Sequence, residues 1–366
     1  VSRQSVSAVF AVLSLAFGFG AARAEDRVLN VYNWSDYIGP TTLADFEKAT
    51  GIKVNYDTFD TNEMLEGKLK AGNSGYDIVV PSLTPFMARD LKGGFFQKLD
   101  KSKLPNYSHL DPGLLKRIAE YDPGNEYAIP WLTGTNGIGY NIDMVKKIDP
   151  NAPVDSLAFI FDPDILSKFK DCGISILDSP TDVFPSVLYY LHLDPHSKDP
   201  ADLKKAADVL LKIRPYIRRF SSSEYINDLA NGDVCVVWGY STDVNIARRR
   251  AQEAGKGVKI QFVNPKEGGE RYIDTMVIPK DAPHVAEAHA FLNFLMDPKV
   301  MAPIADALFA EPGNADAKAL IKPEIVADPT IFPPPEVEAK LFTVAVNPPD
   351  AERLQTRLWT QIKTGH

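Results

Sequence analysis

Cysteine is scarce in this chain, with two in 366 residues, Cys172 and Cys235. That excludes a cysteine-built metal site and a disulfide-dense small scaffold. Histidine is thin as well, at 6. Only His192 and His196 have i,i+4 spacing, and Pro195 between them breaks the helical turn a metal pair would need. No metal site is expected. Long apolar runs are missing after residue 24, so no later segment is expected to cross a bilayer. Basic charge is short too: 40 Lys and Arg against 48 Asp and Glu give a net charge of −8. A chain of that sign neutralises phosphates poorly, which excludes a nucleic-acid partner. Familiar catalytic signatures are also absent. There is no GxSxG elbow, no HExxH and no P-loop, and "GTNGIG" at 134–139 lacks the GxGxxG spacing.

The first residues have a layout of their own. A polar stretch holding Arg3 leads into an apolar run from Ala8 to Ala22, closed by Ala22-Arg23-Ala24. That is the pattern of a secretory signal peptide with a small-x-small cleavage site; a retained anchor is the alternative. The expected leader is 1–24, with cleavage after Ala24 and an exported chain from Glu25. Losing Arg3 and Arg23 leaves the remainder more acidic still. Its length exceeds what one core usually serves, so two domains are expected. Hydrophobic content of 45% marks a globular chain. An even cysteine count in an exported protein suggests a disulfide, with two buried free thiols as the alternative.

Strand and helix patterns alternate. Val28 to Tyr32 reads as a strand, and "PTTLADFEKATG" as a helix opened by Pro40 and stopped by Gly51. "IKVNY" alternates as a strand. Asp60 with Glu63 forms a capping box for a helix through Leu69. "YDIVVPS" is a buried-type strand, and the Gly- and aromatic-rich segment 126–145 reads as a crossover between lobes. A second unit follows: helix "DILSKFKDC", strand "GISILDS", helix "TDVFPSVLYYL", strand "GDVCVVWG" and helix "YSTDVNIARRRAQEAG". Strand "RYIDTMVIP" and helix "HVAEAHAFLNFLMD" come next, and Leu354, Leu358 and Ile362 stripe a terminal helix. The pattern is α/β with mainly parallel sheets flanked by helices.

In open α/β sheets, ligands bind beyond the carboxyl ends of the strands. Trp34, Ser35, Asp36 and Tyr37 stand at such an end, as do Ser82, Asp182, Tyr240 and Asp243. On strand "RYIDTMV", Tyr272 and Asp274 share one face. Aromatic and carboxylate therefore sit together three times, as Trp34/Asp36, Tyr240/Asp243 and Tyr272/Asp274. That combination suits an organic cation. Ring faces attract positive charge and sandwich methylenes, and carboxylates pair with ammonium ends. Each residue also has a plain structural reading. Asp182 and Asp243 occupy helix first turns, where acids are favoured anyway. Trp34 and Tyr272 could serve a core. Asp274 is harder to dismiss, because a carboxylate in an apolar strand needs a partner. Trp131 and Trp238 read as packing. Paired acids with aromatics also describe glycosidases, so an exported carbohydrate-active enzyme or sugar-binding protein is the alternative.

The motifs "YNWSDYI", "FEKATGIKVNYDTFDTNEMLEGKLKAG", "YDIVVPS", "GIGYNID", "YINDLANGD" and "AKLFT" span nearly all of the exported chain. It resembles the bacterial periplasmic polyamine-binding proteins, most of all their putrescine-binding members. The resemblance implies a two-lobed, type II periplasmic-binding-protein fold with the ligand in the cleft. Lobe one would be 25–130 with 255–305, and lobe two 131–254 with 306–366. It implies a receptor and not an enzyme, without cofactor, monomeric, serving an inner-membrane ABC permease from the periplasm. Its ligand would be a small polyamine, putrescine first and spermidine second. The aromatic clamp maps to Trp34, Tyr37, Tyr240 and Tyr272, the carboxylates to Asp36, Asp182, Asp243 and Asp274, and the hydroxyls to Ser35, Ser82 and Ser222. The family also joins the cysteines that match Cys172 and Cys235. Its putrescine binders carry Trp at Tyr240, Phe at Tyr272, Glu at Asp182 and a Tyr at Ala310. The shorter Asp182 and Ala310 should leave more room at one end of the pocket.

Overall fold

The structure, a computed structural model, describes residues 27–365. The expected leader and its cleavage after Ala24 lie outside the described residues. Among those described, no helix is long and apolar enough to cross a membrane.

Strand β1 (Val28–Trp34) alternates buried and half-buried positions, as a strand with one face on a core should. It pairs in parallel with β2 (Lys53–Phe59) and β3 (Ile78–Val79). Helix α1 (Thr42–Thr50) crosses between β1 and β2 and ends at Gly51, whose φ of 70° gives the left-handed cap only glycine adopts freely. Helix α2 (Asn62–Ala71) follows β2. Its N-cap is Thr61, whose side chain accepts from the Met64 amide. The expected cap, Asp60, instead accepts from the Ser35 hydroxyl at 3.0 Å. One residue of offset therefore frees that acid for the end of β1.

The other half is built from β5 (Ile174–Ile176), parallel to β6 (Arg219–Phe220) and β7 (Val236–Tyr240). Between the halves run β4 (Ala128–Asn141) and β9 (Gly269–Val277). β4 pairs with β9 through its first part and with β7 and β8 (Ile260–Val263) through its second. All of these pairings are antiparallel, so the sheet is mixed. A chain that crosses between halves and later returns lays its two crossing strands in opposite directions. Two-residue strands β10 (Glu311–Pro312) and β11 (Leu341–Phe342) lie against β4 and β9.

The expected lobe boundary at 255 places β8 in the first lobe; β8 pairs with the second part of β4 on the edge opposite β7. Helix α3 (Pro180–Tyr190) follows β5, and α4 (Ser241–Ala254) follows β7. Cys172 and Cys235 are joined, with Cα atoms 5.5 Å apart, tying the turn before β5 to the start of β7. Helix α5 (Pro349–Thr364) buries Ala351, Gln355, Trp359 and Ile362. Of the expected stripe only Ile362 is fully buried. Gln355 and Trp359 turn the helix by donating to the Pro180 carbonyl and the Asp178 carboxylate, at 2.9 and 3.0 Å. Trp131 and Trp238 are both at most 1% exposed, in keeping with packing.

Candidate functional site

The carboxyl ends of β1, β2, β3, β5 and β7 face one another across β9, and a cavity lies between them. At the end of β1 the chain turns sharply. The Asn33 side chain donates to the Tyr37 carbonyl at 3.1 Å, closing the turn. Trp34 is anchored by its indole N–H on the Val80 carbonyl at 2.9 Å and packs on Phe59, ring centres 4.6 Å apart. Trp34, Ser35 and Tyr37 thus line the cavity. Asp36, expected as a ligand carboxylate, does not. Its φ of 56° swings it outward, where it is exposed and pairs with Arg250 of α4 at 2.8 Å.

Strand β9 supplies the floor. Tyr272 and Asp274 share the face toward the cavity. Asp274 is 4% exposed and accepts from the Ser82 hydroxyl at 2.7 Å. Ser82 is held in turn by the Asn62 side chain at 3.1 Å. Tyr272 lies opposite Gly134 of β4, and its hydroxyl meets that of Thr242 at 3.0 Å. Its ring is edge-on to that of Tyr240, with centres 5.6 Å apart.

From the second half, the Tyr240 hydroxyl donates to Asp182 at 2.8 Å. Tyr225 donates to Asp243 at 2.8 Å and accepts from the Tyr240 amide at 3.0 Å, locking the start of α4. Ser222 accepts from the Asp178 amide at 3.1 Å and still reaches the cavity. Ala310 is buried and is not among the lining residues. Any extra room it leaves is therefore not at the cavity surface.

Phe59, Asp60, Asn62, Ser223, Ile226 and Thr242 also line the cavity and were missed. Phe59 and Asp60 end β2, the position already used to select Trp34, so that signal was present. Thr242 sits beside Asp243 in a helix first turn. Ser223 and Ile226 follow a two-residue strand that no pattern marks.

The lining therefore holds Asp60, Asp182, Asp243 and Asp274, and no Lys or Arg. Burial pushes Asp243 and Asp274 up to about 7. Burial also raises Asp182, against hydrogen bonds from Tyr240, Ser179 and Glu270. Such a site is short of positive charge, and its ring walls suit a methylene chain. Among the described residues, no three His, Cys, Asp or Glu side chains are grouped to hold a metal ion.

Two α/β halves joined by crossing strands, with an acidic, aromatic cavity between them, define a class of receptor. The chain belongs to the bacterial extracellular solute-binding proteins, whose family model matches residues 41–333. It is 50% identical over 367 residues to the putrescine-binding periplasmic protein PotF of Escherichia coli (strain K12), covering 100% of this chain and 99% of that one. It is 51% identical over 346 residues to the putrescine-binding periplasmic protein SpuD of Pseudomonas aeruginosa (strain UCBPP-PA14), covering 94% of each. Among solved structures, a putative spermidine/putrescine ABC transporter from Listeria monocytogenes superimposes with a TM-score of 0.83 at 30% identity, over 93% of this chain and all of that one. The protein is thus a binding protein and not an enzyme, which sets aside the carbohydrate-active alternative.

Proposed function

We propose that the protein captures a small aliphatic polyamine in this cavity and hands it, unchanged, to an ABC permease of the inner membrane. Putrescine is the leading ligand, with spermidine in the same class. The chain acts in the periplasm as a monomer after its leader is removed at Ala24. The observation that carries the reading is the lining itself, with four carboxylates, four aromatic clamp residues and no fixed cation. An ammonium end would pair with Asp243 or Asp274, and the other with Asp182. Trp34, Tyr37, Tyr240 and Tyr272 would enclose the methylenes, and Ser35, Ser82 and Ser222 would supply hydroxyls. Asp36 would act from the rim through Arg250. We assign the lobes as 25–130 with 255–305, and 131–254 with 306–366.

Native mass spectrometry with putrescine, spermidine and a sugar panel tests the reading. One unmodified amine per chain is expected. Binding or turnover of a sugar, with no amine bound, would overturn it.

A further inference from the structure

Two ammonium ends engage Asp182 and either Asp243 or Asp274, which leaves the remaining cavity carboxylate, Asp60, without a ligand contact. Its place follows from the register of the sheet. Trp34 lies level with Phe59, and one position on the Ser35 amide donates to the Phe59 carbonyl at 3.2 Å, which sets Ser35 level with Asp60. Tyr32 lies level with Val79, which carries Ser35 level with Ser82, and Ser82 bridges to Asp274. Asp60, Ser35, Ser82 and Asp274 therefore form one row across the ends of β2, β1 and β3 to β9.

The row repeats one device. The Ser82 hydroxyl donates to Asp274 at 2.7 Å, and the Ser35 hydroxyl donates to Asp60 at 3.0 Å. Each acid thus takes a serine hydroxyl from the end of the adjacent strand, Asp274 at the floor and Asp60 at the outer end. Three strand spacings of about 4.8 Å separate β9 from β2, which sets the two acids roughly 14 Å apart. Charge-assisted hydrogen bonds of about 2.8 Å at both ends leave roughly 8 Å between nitrogens. An extended four-carbon diamine is shorter than that. A triamine with an added aminopropyl arm is longer, and reaches both acids with a bend.

The outer end is built from both halves. β2 is the outermost strand of the first half and β6 that of the second. Ser222 and Ser223 follow β6 and line the cavity as Asp60 does. This end is wetter than the floor: Asp60 is half-buried, whereas Asp274 is 4% exposed. No Lys or Arg lines the cavity to neutralise Asp60. Nor is Asp60 spent as a cap, since Thr61 caps α2. An acid just before a helix also complements the helix dipole, a role that would show in stability and not in ligand preference.

We propose that Asp60, oriented by Ser35, is a specificity-determining residue: it pairs with the third ammonium of a triamine such as spermidine. This rests on the reading of the cavity as a polyamine site and adds to it a subsite for a further positive charge.

Spermidine and N-butylputrescine isolate that charge, because the second compound has a methyl where the first has the ammonium of its aminopropyl arm. Asp60→Asn keeps the size of the side chain and an oxygen for Ser35, and removes the carboxylate. Calorimetric titrations of the wild type should give spermidine about five- to twentyfold the affinity of N-butylputrescine, the worth of a charged hydrogen bond at a half-buried site. In Asp60→Asn that preference should shrink to within about twofold, and the four affinities give the coupling between Asp60 and the third ammonium directly. A merely structural Asp60 would instead lower the melting temperature of the ligand-free protein and weaken both compounds alike. Equal wild-type affinities for the two compounds, or a preference that survives Asp60→Asn, overturn the role. Wild type that binds putrescine and not spermidine overturns it as well, and leaves the polyamine reading standing. Wild type that binds neither ends the polyamine reading first, and the role of Asp60 falls with it.

Discussion

Asp274 sits nearly out of solvent with the Ser82 hydroxyl on one oxygen, and burial lifts it to about 7. An unfolded aspartate titrates near ~3.9. The folded value is the higher, so stability from the protonated form is present below ~4 and lost as pH rises through about 7. Asp243 follows the same course. Ligand-free protein should therefore melt lower at pH 8 than at pH 5.5, and Asp274→Asn should raise and flatten that curve in calorimetric scans. With putrescine present the order should reverse. Removing one partner of a buried pair costs about 3–5 kcal/mol, or roughly 10²–10³ or more in affinity. An Asp274→Asn protein that binds putrescine like wild type would show the carboxylate to be structural. The same shifts predict proton release. A cation needs its partner acid ionised, so affinity should weaken as pH falls from 8 to 6. Binding enthalpy at pH 7 should then differ between buffers of unlike ionisation enthalpy, and identical enthalpies would contradict it. Asp274 was legible because strand alternation fixes which way it points. Asp36 was not, because a positive φ in the turn sends it to the rim.

At the scale of elements, the site depends on how closely β4 and β9 approach. Gly134 lies opposite Tyr272, and a Cβ there would stand 2.2 Å from the Tyr272 hydroxyl oxygen and 2.8 Å from that of Ser241. Gly134→Ala must therefore push Tyr272 off Thr242 and out of the wall. Overpacking of this kind costs about 1–3 kcal/mol of stability. Putrescine affinity should fall by at least about tenfold, beyond what the lower melting temperature explains; an unchanged affinity would mean the Tyr272 ring is no part of the clamp. Most elements were legible in the sequence, because β1, β2, β7, α1 and α4 carry clear apolar periods and glycine or acidic end signals. The two-residue strands β6, β10 and β11 are too short to hold any period. The long β4 reads as a crossover from its glycines and aromatics, but nothing in it announces antiparallel partners on both edges. In α5, hydrogen bonds from Gln355 and Trp359, rather than a leucine stripe, set which face is buried.

Across the whole molecule, the two halves meet at the rim of the cavity through polar contacts. Arg250 of α4 holds Asp36 at 2.8 Å, Thr181 of α3 donates to Glu63 of α2 at 3.3 Å, and Arg89 pairs with Glu352 of α5. Length and alternation made two halves legible, whereas the pairing of β8 with β4 was not, because only three dimensions reveal it. The rim contacts are equally unreadable, since each joins residues more than a hundred positions apart. Their energetics differ from those of the buried acids. A partly exposed ion pair contributes only about 0.2–1 kcal/mol. Releasing one cannot abolish binding, but it can shorten the time the halves stay closed over a ligand. Arg250→Ala should therefore speed putrescine dissociation by about two- to fivefold at low salt and leave the melting temperature near wild type. The difference should shrink in ~1 M salt, where screening acts within ~3 Å. Stopped-flow dissociation at both ionic strengths measures it. A rate unchanged at low salt would show that the Asp36–Arg250 pair only decorates the rim. A loss of hundredfold or more would instead move Arg250 or Asp36 into the ligand's own contacts, against the outward turn of Asp36.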